Sequence, residues 1–238
     1  IMALPTINTP TYELEVPSTG ETIKYRPFLV KEEKILLIAS ESGKQTDIIN
    51  AIKEIATACT FGKLKIGRMP MFDVEYIFLN IRAKSVGEVS ELPLIAPDDN
   101  ETRVVVEVDL SEVKVQETEG HTNKIELTDE MGIYMQYPTV DTFSKSGMTE
   151  ITASNMLEVI SACIGQIYDK KGEEVWEAQD STKKELIEFI EQLSSKQFGN
   201  IQDFFDTMPK LKHTLTVKNP KTKVERDVVL SGLSDFFV

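Results

Sequence analysis

Histidine, cysteine and tryptophan are almost missing from these 238 residues, which hold two His, two Cys and one Trp. A structural zinc takes about four ligands, mostly from closely spaced Cys or His pairs. His121 and His213 each lack a second His or Cys at ligand spacing. No strand–Gly-x-Ser-x-Gly–helix elbow occurs, and only two histidines could serve a nucleophile as base. The sequence therefore reads as non-enzymatic, with no metal, no cofactor and no catalytic residue, although a pair of glycosidase carboxylates is a test any acidic chain passes. Cys59 and Cys163 stand among apolar helical neighbours, so buried reduced thiols are expected, as in an intracellular protein, and not a disulfide framework. Positive charge is short as well: 26 Lys and Arg against 39 Asp and Glu leave a net charge of −13. Such an excess repels phosphate backbones and anionic lipid, so neither nucleic acid nor membrane is an expected partner. No apolar run reaches the ~18 residues that a membrane span needs. Met2-Ala3-Leu4-Pro5-Thr6 likewise shows no basic-then-apolar signal pattern.

What is present is the composition of a folded protein, 41% apolar and 27% charged, at a length for one large domain or two small ones. Tyr12, Leu14 and Val16 alternate with polar residues, Pro17-Ser18-Thr19-Gly20 supplies a turn, and Ile23 and Tyr25 resume the alternation, which predicts a hairpin. Helices are expected over 30–40, with Ile35 and Ile38 inward, and over 47–60, where Ile48, Ile52, Ile55 and Cys59 share a face. A third helix is expected to be capped by Asp73. Strands are predicted over 90–95, 103–110, 124–127 and 132–137, with 116–123 as a mobile polar loop. Helical spacing returns from Met156 to Ile167, after Thr182 in a Thr182–Glu185 capping box, and from Ser194 or Ser195 to Met208. A hairpin around Asn219-Pro220-Lys221-Thr222 closes the chain. Segregated elements predict an α+β fold: terminal β-hairpins, a mainly helical body and a central antiparallel β insert. The expected divisions are 1–88, 89–138 and 139–238, as one compact unit with an insert.

Two motif-like stretches fail on inspection. Gly43-Lys44 suggests a phosphate loop, but Ile38 stands where its first Gly belongs and Gln45 where Ser or Thr would meet magnesium. Asp98-Asp99-Asn100-Glu101 is rich in oxygen ligands but lacks the central Gly and the distant bidentate Glu of a calcium loop. The apolar helical stripes read as core. Tyr134, Met135 and Tyr137, and the terminal Leu233, Phe236 and Phe237, are the candidates for a protein interface, since aromatic residues and Met are favoured there. The terminal group has a second reading, as a plug folded back on its own core.

Several stretches taken together resemble a known family. They are Leu4–Thr6, Tyr25–Glu33, Phe72–Leu79, Ile81–Gly87, Lys124–Leu127, Met131–Thr139 and Leu230–Phe237. The series is similar to the baseplate hub or hub-assembly proteins of T-even-like contractile-tailed bacteriophages, the gene-twenty-six product family. That resemblance implies an assembly factor or structural subunit of the tail baseplate hub, acting through contacts with other tail and baseplate hub proteins. It implies residence in the host cytoplasm during assembly and in the virion tail baseplate if retained, with the oligomeric state open. It transfers no catalytic residue. Some relatives carry cysteine pairs suggestive of zinc ribbons at two knuckles that here read Ile95–Asp98 and Asn219–Thr222, without thiols, which again argues for no metal. The alternatives are a tail-associated cell-wall hydrolase and a bacterial adaptor domain with accidental similarity.

Overall fold

The computed structural model describes residues 7–146, 151–171 and 174–236. Along the chain run β1 (Tyr12–Glu15), β2 (Thr22–Tyr25), α1 (Val30–Glu41), α2 (Gln45–Cys59) and α3 (Met71–Val86). Next come β3 (Val89–Ile95), β4 (Arg103–Asp109), β5 (Lys114–Gln116), β6 (Lys124–Glu126), β7 (Met131–Met135), α4 (Val140–Ser146) and α5 (Met156–Cys163). The last are β8 (Ile164–Asp169), β9 (Val175–Glu177), α6 (Lys183–Glu191), α7 (Ser195–Thr207), β10 (Lys210–Lys218) and β11 (Glu225–Ser231). The fold is α+β with antiparallel sheets throughout.

Two compact units divide it, one made of 1–116 and 210–238 and the other of 117–209. These boundaries differ from those expected at 88/89 and 138/139. The reason is strand pairing. The predicted central insert is split, because β3 and β4 pair only with each other whereas β7 pairs with β8, thirty residues further on.

In the first unit, β10 lies between β11 and β5, and β1–β2 and β3–β4 form two separate two-stranded ribbons. Its core gathers on α3, where Val74, Ile77, Phe78, Leu79 and Ile81 are all buried. Asp73 does not cap α3; it lies in the first turn, and Pro70 occupies the N-cap position without a side-chain cap bond. Asp73 is instead buried, with its carboxylate accepting the Ser18 backbone N–H (3.0 Å) and the Ser18 hydroxyl, which fastens the first hairpin's turn to α3. Burial pushes this carboxyl above its usual range despite the two bonds. On α2 the fully buried positions are Ala51, Ile55, Ala56 and Cys59, while Ile52 is half-buried.

The second unit is a four-stranded meander, β6-β7-β8-β9, covered by helices. Ile133, Met135, Val159, Ile160, Ile201 and Phe204 fill its centre. The helix expected from Met156 to Ile167 stops at Cys163, and Ile164 and Ile167 belong to β8, paired with Met135 and Ile133. Ile and Val suit both periods, so spacing alone did not separate an inward helix face from a buried strand. Thr182–Glu185 and Ser194–Gln197 form the expected caps of α6 and α7.

Gly132 has a steric reason to be glycine. The Tyr168 ring lies over it across the β7–β8 pair, and a Cβ there would meet Tyr168 and also approach the Ile125 carbonyl to 2.8 Å.

Candidate protein interface

Among the described residues no group of three or more His, Cys, Asp or Glu side chains could hold a metal ion. No helix among them is long and apolar enough to cross a membrane. An open groove of about 400 Å³ in the second unit is lined by Thr142, Ser161 and Leu186, among others. The one carboxylate on it, Glu158, is already paired to Lys183 at 2.6 Å.

The most unusual surface begins with the sequence Tyr25–Glu33. Pro27 ends β2, and Arg26 just before it is anchored by its backbone N–H to the Cys59 carbonyl (3.0 Å). Its guanidinium donates to the Pro27 carbonyl (2.9 Å), reaches the Cys59 sulfur (3.6 Å) and pairs with Glu32 (2.9 Å). The second oxygen of Glu32 accepts the Leu29 N–H at 2.8 Å, which satisfies an otherwise free donor at the start of α1. Glu32 is only 2% exposed. Burial alone would raise its pKa, but Arg26, the Leu29 N–H and Lys31 outweigh burial and hold the carboxyl below its usual range. Glu32 strengthens the Arg26 guanidinium's hold on its proton in turn. Burial pushes the neighbouring Cys59 thiol up to about 11, so it stays protonated and inert.

This ion pair fixes which way α1 faces. Its buried positions are Glu32 and Ala39. Val30 (80% exposed), Leu37 (58%) and Ile38 (57%) point outward, with Leu29 beside them. Positions 30, 34, 37, 38 and 41 recur at helical spacing, so the three branched side chains share a face with Lys34 and Glu41. Single exposed apolar residues are normal on a protein surface; several on one helix face make it a candidate contact surface. The expectation that Ile38 points inward is therefore corrected, and the stripe read as core is exposed along this face. The signal was in the sequence. Ile35-Leu36-Leu37-Ile38-Ala39 is five apolar residues in a row, more than one turn, and cannot all be buried against one neighbour.

The six residues singled out from sequence are placed differently. Met135, Leu233 and Phe236 are buried inside their own units. Leu233 and Phe236 sit in a short 3-10 turn, and the Leu233 N–H donates to Glu75 of α3 at 3.3 Å. Phe237 lies outside the described residues. Tyr134 is half-buried, 5.1 Å from the Tyr168 ring, with the Lys124 ammonium over both rings. Tyr137 is half-buried and stacks on Phe204 at 5.5 Å.

The Tyr137 hydroxyl meets His121 Nε2 at 3.0 Å, while His121 Nδ1 meets the Thr207 hydroxyl at 2.9 Å. Thr207 gives its only hydroxyl proton to the Asp203 carbonyl (2.6 Å), so Nδ1 must be the donor to it. In a neutral imidazole Nε2 is then an acceptor for Tyr137. Burial lowers the His121 pKa, against a smaller opposing pull from Glu117. The segment predicted to be a mobile loop is thus tied down at two points: Gln116, the end of β5, pairs with Lys210 of β10, and His121 is held on both ring nitrogens.

The two knuckles meet. Asn219, fully buried, donates to Asp98 (2.9 Å) and Asp99 (2.8 Å), and the Thr222 hydroxyl donates to Asp98. The Thr222 and Asn219 bonds hold the Asp98 carboxyl below its usual range, and those from Thr102, the Glu101 N–H and Asn219 hold Asp99 well below it. Direct hydrogen bonds therefore cross-link the two turns.

A family model described as T4 bacteriophage base plate protein matches residues 9–238. No curated protein and no solved structure matches the chain.

Proposed function

The chain belongs to the T4 bacteriophage base plate protein family, and from that premise we propose that it is a non-enzymatic part of the baseplate hub. It works by binding other tail proteins, first in the cytoplasm of the host and then in the tail itself. The observation that carries this reading is the outward apolar face of α1, held by the Arg26–Glu32 pair. Exposing Val30, Leu37 and Ile38 to water costs free energy that covering them recovers, about 25 cal/mol for each Å². A baseplate protein with such a face is suited to a permanent contact. The test is quantitative mass spectrometry of purified virions beside lysates of infected cells. The expected result is recovery of the chain from virions in fixed ratio to other baseplate proteins. Recovery only from lysates would make it an assembly factor that leaves. Absence from every tail-protein complex in both samples would overturn the proposal.

A further inference from the structure

The β3–β4 ribbon has two faces of opposite character. Leu92 and Val108 are buried on one, with Leu94, Val104 and Val106 half-buried beside them. On the other, the cross-strand pairs are Val89 with Asp109, Glu91 with Glu107, Pro93 with Val105 and Ile95 with Arg103, and all eight residues are exposed. Four of these eight are apolar.

The central pair is a conflict. Glu91 and Glu107 face each other directly, and like charges opposed in this way destabilise a sheet. Their register makes the conflict worse. The Ala96 N–H to Thr102 carbonyl bond (2.8 Å) and the Leu110 N–H to Glu88 carbonyl bond (2.7 Å) mark hydrogen-bonded pairs at the two ends of the ribbon. Alternation then makes 91/107 a non-hydrogen-bonded pair, in which side chains come closest. Neither carboxylate has an ion pair or hydrogen bond among the described residues. The cation on this face, Arg103, is two cross-strand pairs away, opposite Ile95.

Alternation also sends the backbone groups of residue 93 to the outer edge of β3, where Pro93 has no N–H to offer. That edge is a poor template for another strand. A partner is therefore met by side chains on the face.

We propose that this outer face of the β3–β4 ribbon docks a basic segment of another protein, with a Lys or Arg placed between Glu91 and Glu107. Apolar side chains of that segment cover Val89 on one side and Pro93 and Val105 on the other. The charge fits such a partner and few others. A second copy of this chain brings another −13, and phosphate-bearing ligands are repelled. The proposal does not depend on the role assigned to α1.

The test uses the full chain, ¹⁵N-labelled, with a ten-residue peptide alternating lysine and valine as the probe. An isomer with its lysines and valines in two blocks is the comparison. The alternating peptide is expected to shift amide resonances of β3 and β4, and to bind about tenfold more tightly than the block isomer. The variant Glu91→Gln with Glu107→Gln should lose that advantage while its first unit melts at a higher temperature, because the repulsion is gone. Gain of stability with loss of binding is a pairing that a purely solubilising acidic surface would not show. Shifts spread evenly over the acidic surface, equal binding of the two isomers, or unchanged binding by the Gln variant would each overturn the proposal.

Discussion

Helix α1 carries more apolar residues than α7, six against four, yet its fully buried positions are a glutamate and an alanine whereas α7 buries Ile201 and Phe204. α7 behaves as its sequence reads: Ser194 caps it, Gln197 reaches back to the Ser194 N–H (2.7 Å), Ile201 and Phe204 are buried, and Gln202, Asp203 and Asp206 face water. α1 buries a glutamate and exposes Leu37 and Ile38. The difference teaches that a helix is oriented by its strongest single constraint. In α7 that constraint is apolar area. In α1 it is a carboxylate that must meet Arg26 and the Leu29 N–H, and the apolar side chains take the positions left over.

Two substitutions of similar size should separate these organising forces. Phe204→Ala leaves a cavity in the second unit and should cost about 3–5 kcal/mol. Arg26→Met strands Glu32 in the first unit's interior and should cost about 3–5 kcal/mol as well. Only the second has a simple remedy. Arg26→Met combined with Glu32→Leu removes both charges and should recover most of the loss. Urea unfolding followed by hydrogen exchange in each unit measures both effects. A double variant no more stable than Arg26→Met alone would show that the ion pair does not organise α1.

Mild acid should move the units in opposite directions. Burial, partly offset by the Leu233 N–H, pushes the Glu75 carboxyl up to about 7, against 4.5 for a free glutamate. A raised value means that the folded state holds the proton more tightly. Glu75's contribution is complete below its unfolded value and is lost as pH rises through about 7, so the first unit gains as pH falls from about 8 to about 5.5. His121 has the opposite sign. Its folded pKa is lowered from 6.5, so its contribution is present above 6.5 and lost as pH falls through the lowered value. The second unit weakens over the same interval. Glu32, whose pKa is lowered, removes stability from the first unit only below the usual carboxylate range. Melting curves resolved by unit should diverge on mild acidification. Glu75→Gln should flatten the first response and His121→Gln the second; parallel curves would sink both assignments.

The legible part of the molecule was the local part. Capping boxes at Thr182 and Ser194, the two hairpin turns and the alternation of β4 follow from neighbours within a few residues. What spacing could not supply was partnership at a distance. Asp73 reads as a cap until Ser18, 55 residues earlier, is seen to claim it. Ile164 and Ile167 fit a helix until β7 pairs with them. The candidate site followed the same rule. Aromatic residues near the chain end allowed either a contact or a plug on their own core, and Phe236 is buried in its own unit. The run Ile35–Ala39 shows that some apolar side chains of α1 must be exposed, but which ones depends on Glu32 turning inward toward Arg26, which nothing in 30–41 alone reveals.

The smallest expected change in stability comes from the substitutions that bear most on function. Leu37→Ser with Ile38→Ser removes two apolar side chains that are more than half exposed. Surface changes away from packing or hydrogen bonds usually stay within about ±0.5 kcal/mol each. The melting temperature of the first unit should therefore hold, since the Arg26–Glu32 pair still orients the helix. Solubility of the free chain should rise as the patch shrinks. Association with other baseplate proteins should fall, because truncating side chains at the centre of an interface is where binding is most sensitive. Co-purification of tagged wild-type and variant chains from infected cells, beside a melting curve of each, reads both quantities. Stability and association both unchanged would remove α1 from the interface. A clear loss of stability would mean that these side chains are packed after all, and that α1 and α7 differ less than their burial indicates.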